Sequence, residues 1–319
     1  MHVENTAQGA QGAHADHAAP ATRLGRTVSA CLIAVSALSA LASGPALAEE
    51  ETRDAKAVTF AFQFQTLPAT AWPADAPPIR FYFNPGSSAP ACGLLLSSTQ
   101  RLVPLVEPDD GSDFPQCTGV TAGRVLVRDT QRFYLLRVQQ KDTREDSSVQ
   151  DVLLAQQGDR VVQTDGLLTS AAPMPPKPIS QVAAWLRAQW TLDAEGRRGA
   201  HPLPEHTATT SGSYLALSLS PPGTCRLAIG SAELDAPVLT VTHPCARVLA
   251  TSAFQQGAKA WFVALIDEAG QGAQAKVFEM QGRDARERPE MAAALRGPAS
   301  EGKILPVRQA LQKLVAAGR

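Results

Sequence analysis

Five cysteines are the residues whose type and spacing bear most directly on chemistry. Cys31 falls in a leader described below, which leaves Cys92, Cys117, Cys225 and Cys245. A structural zinc site wants cysteines in pairs roughly two to four residues apart, and no two of these are that close. An even set in an exported chain points to disulfides instead. The flanks choose the pairing. Pro85-Gly86 precedes Cys92-Gly93-Leu94-Leu95, and Pro222-Gly223 precedes Cys225-Arg226-Leu227-Ala228, so each first cysteine opens an apolar strand after a turn. Each second cysteine is succeeded by β-type runs: Val125 to Val127 and Phe133 to Leu136 after Cys117, Val248-Leu249 and Trp261 to Ala264 after Cys245. Pairing within each copy follows, Cys92 to Cys117 and Cys225 to Cys245. Each bridge is expected to stabilise its copy by about 3 kcal/mol.

Other chemistry-bearing groups are less telling. Glu107, Asp109, Asp110 and Asp113 crowd one turn, and oxygen-rich turns can hold calcium. Their spacing matches no calcium loop, and Asp-Gly and Pro-Asp are ordinary turn chemistry, so Asp109, Asp110 and Asp113 are expected to form an exposed acidic turn with no metal. His201, Glu205 and His206 lack the helical spacing of a metalloprotease pair, because Pro202 and Pro204 forbid that helix. His243, beside Pro244-Cys245, reads as a structural turn residue rather than a general base. The chain has no nucleophile elbow, dinucleotide fingerprint or phosphate loop. No residue is therefore assigned a catalytic role and no cofactor is implied, although carboxylates alone can hydrolyse glycans. Trp72 and Phe114, in proline-containing loops, are candidate interface anchors; the alternative is that each folds back onto its own sheet.

These residues need elements to hold them. Val58, Phe60, Phe62 and Phe64 alternate with polar or small neighbours, the period of a half-buried strand. Further strands are expected at Ile79 to Phe83, Gly93 to Leu96, Leu102 to Val106, Val125 to Val127, Phe133 to Val138 and Val152 to Leu154. A second series runs through Tyr214 to Leu219, Arg226 to Ile229, Val238 to Thr242, Ala260 to Ile266 and Lys276 to Met280. Each series ends in a helix: Ile179, Val182 and Leu186 repeat the spacing of Ile304, Val307 and Leu311. Cysteines, strands and helix recur in one order, which reads as a duplication. The expected fold class is α+β and mainly β: two duplicated β-rich units of meander or sandwich type, each with one internal disulfide and a C-terminal helix. The expected division is 1–48 leader and signal peptide, 49–190 first repeat, 191–213 linker and 214–319 second repeat.

The leader carries Arg23 and Arg26 before an apolar run from Ala30 to Ala42, a Gly44-Pro45 break and the small-residue site Ala46-Leu47-Ala48. Cleavage after Ala48 would leave no membrane span, since the apolar run is short of the roughly 20 residues a spanning helix needs. The protein is expected to be periplasmic or secreted. Lys and Arg number 29 against 30 Asp and Glu, a balance that gives no electrostatic footprint for nucleic acid. The charged tracts Lys141 to Asp146 and Arg283 to Glu290 mix both signs and read as solvated hairpin tips or loops. The functional expectation is a non-enzymatic protein-binding protein whose partner is another envelope or extracellular protein, of the inhibitor or immunity kind. The alternatives are a structural or accessory subunit of an envelope complex and a carboxylate-based glycan hydrolase. The sequence leaves the oligomeric state open.

Overall fold

A computed structural model describes residues 53–54, 67–83, 87–107, 113–164, 168, 177–198, 201–202, 207–220 and 223–318. The leader and its cleavage site, the strand expected at Val58 to Phe64, and Asp109, Asp110, Glu205 and His206 lie outside the described residues.

Four antiparallel sheets follow one another along the chain. The first contains β1 (Arg53–Asp54), β2 (Ile79–Phe83), β3 (Pro90–Leu96) and β4 (Arg101–Pro104), in the order β1-β4-β3-β2. The second is a meander of β5 (Gln116–Arg128), β6 (Gln131–Lys141), β7 (Ser147–Gln157) and β8 (Arg160–Gln163), followed by helix α1 (Ile179–Arg197). The third contains β9 (His201–Pro202), β10 (Ala208–Thr209), β11 (Ser213–Ser220), β12 (Thr224–Ser231) and β13 (Leu239–Pro244). The fourth is again a meander, β14 (Arg247–Gln256), β15 (Lys259–Glu268), β16 (Gly272–Gln281) and β17 (Asp284–Glu287), followed by α2 (Pro289–Ala294), α3 (Arg296–Ser300) and α4 (Ile304–Ala316). The fold is mainly β, and each half closes its own disulfide and ends in helix.

The two bridges occupy matching places. Cys92 on β3 is tied to Cys117 at the start of β5, with Cα atoms 5.6 Å apart. Cys225 on β12 is tied to Cys245, just ahead of β14, at 5.3 Å. The first bridge joins one sheet to the next, and the second ties β12 to the connection between β13 and β14. Each strand after the bridge is also bulged, β5 between Cys117 and Gly119 and between Val120 and Ala122, β14 between Val248 and Ala250. A bulge sharpens local twist and lets a long strand wrap its neighbour.

Period-two alternation sorts the side chains into layers. On β6, Tyr134, Leu136 and Val138 face the first sheet, where Phe81, Leu94 and Val103 meet them. Phe133 and Leu135 face the other way, onto α1. The third sheet repeats this: Leu215, Leu217, Leu227 and Ile229 meet Phe262, Ile266, Phe278 and Met280 of the fourth. The far face of the fourth sheet, with Trp261, Val263 and Leu265, is covered by Met291, Leu295, Val307 and Leu311 of the terminal helices. Strand β15 is buried on both faces for that reason. Each fully buried large side chain here contributes about 1.5–3 kcal/mol.

Helix α1 is the layer that joins the halves. Its core includes Leu126, Phe133 and Leu153 from the second sheet and Tyr214, Ala216 and Ala228 from the third. It is buried on opposite sides, at Val182, Ala183, Ala184, Leu186, Ala188, Trp190 and Leu192. The small alanines let both sheets approach. Within the third sheet Tyr214 lies directly across from Gly230, where a Cβ would stand 2.5 Å from the tyrosine ring; the Tyr214 hydroxyl in turn lies 3.1 Å from Thr191 Oγ1 on α1.

Several local expectations are corrected. The segment from Thr191 begins as helix, not linker, because α1 runs on to Arg197 with Leu192 and Glu195 buried. The tract Arg283 to Glu290 is a hairpin tip only at Arg283; from Asp284 it supplies β17 and the start of α2. Its arginines are drawn in by the buried carboxylate of Glu279 on β16, which pairs with Lys259 at 2.6 Å, with Arg286 at 3.1 Å and with Arg288. Burial pushes the Glu279 carboxyl up, but the three cations together hold it below its ordinary value. The terminal helix of the second half is broken into three pieces.

Candidate functional site

A cleft of about 290 Å³ opens where the β5–β6 turn, the last turns of α1 and the β12–β13 loop meet. Arg187, Trp190, Thr191, Ala194 and Arg198 recur at intervals that bring them to one face of α1. Strand β5 adds Arg128 at its end, and Arg226 comes from β12. Five arginines line the cleft against the carboxylates Asp129, Glu195 and Asp235.

Four of these guanidiniums, those of Arg128, Arg187, Arg198 and Arg226, are held by partners. Arg187 is 4 % exposed. Its Nε donates to the Ala232 carbonyl at 3.2 Å, one Nη donates to the Val127 carbonyl, and the other donates to Asp235 Oδ1 at 3.0 Å. Burial lowers its pKa from the ordinary guanidinium value while Asp235 works to restore it; an arginine so placed remains charged. Its Cζ also lies 5.3 Å from the centre of the Trp190 ring, and that of Arg128 lies at 5.7 Å. Trp190 packs its ring on Phe133, with centroids 4.8 Å apart, and its indole N–H is buried with no hydrogen-bond acceptor among the described residues. Glu195, 8 % exposed, holds Arg198 at 2.8 Å and Arg226 at 3.3 Å. Asp193 reaches Arg128 at 3.4 Å. Arg197 lines the cleft from an exposed position.

What such a site can do follows from its donors. Arginine presents planar, preorganised N–H groups matched to carboxylate or phosphate. Anion recognition is the chemistry it offers.

A second cavity, about 490 Å³, lies between the 74–78 segment, the β3–β4 connection and the β7–β8 turn. Four of its polar groups are engaged in pairs. Tyr134 donates to Gln156 Oε1 at 2.5 Å, burial raising the phenol's pKa, and Arg132 pairs with Asp75 and holds that carboxyl below its ordinary value.

The residues singled out in the sequence are scattered. Trp72 is half-buried against the first half's core: its Nε1 donates to the Pro77 carbonyl at 3.2 Å and its ring centre lies 5.6 Å from that of Tyr134. Phe114 is half-buried and joined to Pro115 by a cis peptide bond. Asp113 is exposed and accepts a 2.6 Å hydrogen bond from Ser87 Oγ. Among the described residues, no three His, Cys, Asp or Glu side chains converge as a metal site would require. The backbone of His201 pairs with Leu219. His243 is a strand residue, not a turn residue, directly opposite Cys225. It stands 3.2 Å from Glu287, with Lys276 and Glu268 nearby, and burial lowers its pKa against the pull of Glu287.

The cleft escaped the sequence reading because its parts are remote: Arg187 meets Val127 and Asp235 across 60 and 48 residues of chain. One signal was present, an arginine that directly follows the apolar run Val182 to Leu186 on the helix.

The fold and site define a layered, disulfide-stapled β protein with an arginine-lined seam. No protein-family model matches the chain, and no curated protein does. Among solved structures it has a distant likeness to an exo-β-1,3-galactanase from Phanerochaete chrysosporium bound to β-1,3-galactotriose, at 10 % identity and a TM-score of 0.19. The match covers 73 % of this chain and 52 % of that one, so the chain spans about half of that structure. At that TM-score the likeness carries no argument about activity.

Proposed function

We propose that this chain is an exported, non-enzymatic binding protein that holds another protein of the cell envelope or its surroundings, in the manner of an inhibitor or immunity protein. The observation that carries the reading is the cleft at the seam. Arginine and tryptophan are the residue types that dominate protein interfaces, and here they are held in place by partners from both halves before any ligand arrives. Side chains ordered in advance lose less entropy on binding. The two disulfides suit an oxidising compartment, and export by a signal peptide cleaved after Ala48 belongs to the same reading. The same layout in both halves supports a duplication.

Affinity capture tests this. The oxidised chain from residue 49, immobilised and exposed to an envelope extract, should retain one soluble protein in stoichiometric amount. Recovery only with a large membrane complex would favour the accessory-subunit role. Turnover of a glycan by the purified chain would overturn the binding role.

A further inference from the structure

We propose that the arginine-lined cleft is the anchor for an acidic segment of a protein partner, a run of carboxylates instead of a single small anion; this rests on the protein-binding reading above. The lining is cationic on balance, five arginines to three carboxylates, and the internal acids serve as clamps. Glu195 holds Arg198 and Arg226 together, and Asp235 seats Arg187. Arg197 has no ion-pair partner among the described residues and is exposed at the rim. The Trp190 N–H adds a buried donor without an acceptor.

Layout selects the ligand class. At about 290 Å³ the cleft admits the end of an acidic side chain. Its accessible cations extend from the half-buried Arg226 on β12 to the consecutive, exposed Arg197 and Arg198 at the end of α1, while the buried Arg187 is committed to the seam. One compact anion cannot engage a track of that kind. Carboxylates spaced along a peptide can, each taking a charge-assisted hydrogen bond.

Titration calorimetry on the full oxidised chain tests the assignment, with a short oligo-glutamate peptide as probe and inorganic phosphate as the competing source of negative charge. Arg197→Glu removes a rim cation whose side chain supports nothing else described, and Arg296→Glu, exposed on α3 and outside the cleft, makes the same charge change. The expected result is saturable peptide binding, weakened by about tenfold or more in R197E and unchanged in R296E, with a smaller loss in Arg197→Ala. Equal losses in R197E and R296E, or no saturable binding, would overturn the assignment. So would phosphate binding as tightly as the peptide, since that describes a small-anion site. Envelope capture separates the two levels: a partner retained equally by wild type and R197E removes the cleft from the interface but leaves the binding role, whereas no retained partner with wild type removes the binding role itself.

Discussion

Arg187 on the helix of the first half lies 3.0 Å from Asp235 in a loop of the second. The contact is asymmetric, with Arg187 4 % exposed and Asp235 59 %. The aspartate is therefore solvated, while the arginine is committed to the seam through the carbonyls of Val127 and Ala232. Removing the arginine strands two acceptors; removing the aspartate leaves a cation that still has both.

Arg187→Ala is accordingly expected to cost about 2–4 kcal/mol, the sum of acceptors left unsatisfied and packing lost beside Trp190. Asp235→Asn should cost less than about 1 kcal/mol, as for a partner exposed to water. Chemical denaturation of both variants checks the ranking. Equal effects would show that the seam depends on the ion pair alone.

Gly230 is required by a close approach, not by its backbone angle. A Cβ there would press 2.5 Å from the Tyr214 ring, which is itself 1 % exposed and lies against α1. Gly230→Ala should destabilise the protein by about 1–3 kcal/mol through overpacking. Adding Tyr214→Leu should recover part of the loss in thermal melting. A G230A protein as stable as wild type would contradict the packing described.

The disulfides should act separately. Each closes a loop within its own half across 25 or 20 residues, so converting either pair to alanine should cost about 3 kcal/mol. Non-reducing peptide mapping should return only Cys92 with Cys117 and Cys225 with Cys245. Full stability of the reduced protein in denaturant would show that the fold does not depend on them.

Acid should weaken the second half through His243. Burial holds its folded pKa below the ordinary histidine value, in the company of Glu287, Lys276 and Glu268. As pH falls through the ordinary histidine range, the unfolded chain takes up a proton that the folded one resists, so stability declines toward low pH and is restored above it. The slope is bounded by about 1.4 kcal/mol per pH unit for one proton. Stability measured from neutral to mildly acidic pH should fall less steeply in His243→Gln. An unchanged slope would assign the effect to other groups.

Much of the scaffold was legible in the sequence because its causes are local. The apolar runs from Phe133 to Val138 and Tyr214 to Leu219 marked strands β6 and β11, and the turns ahead of Cys92 and Cys225 marked the strands that carry them. The spacing of Ile179, Val182 and Leu186 marked α1. What was not legible depends on both halves at once. A helix between two sheets buries opposite sides, so Arg187 sits among apolar neighbours and α1 continues past Trp190. Similarly, the Arg283 to Glu290 tract is solvated-looking in sequence but is organised by Glu279 across the sheet. The cleft combines residues from three separate segments, and no periodicity connects them.

The binding role is tested most directly by titration calorimetry between the oxidised chain and the protein it retains from envelope extract, both purified. A partner held at a preformed site predicts saturable binding at fixed stoichiometry, unaffected by glycan and weakened by Arg197→Glu at the seam. Absence of saturable heat between the purified proteins would contradict it.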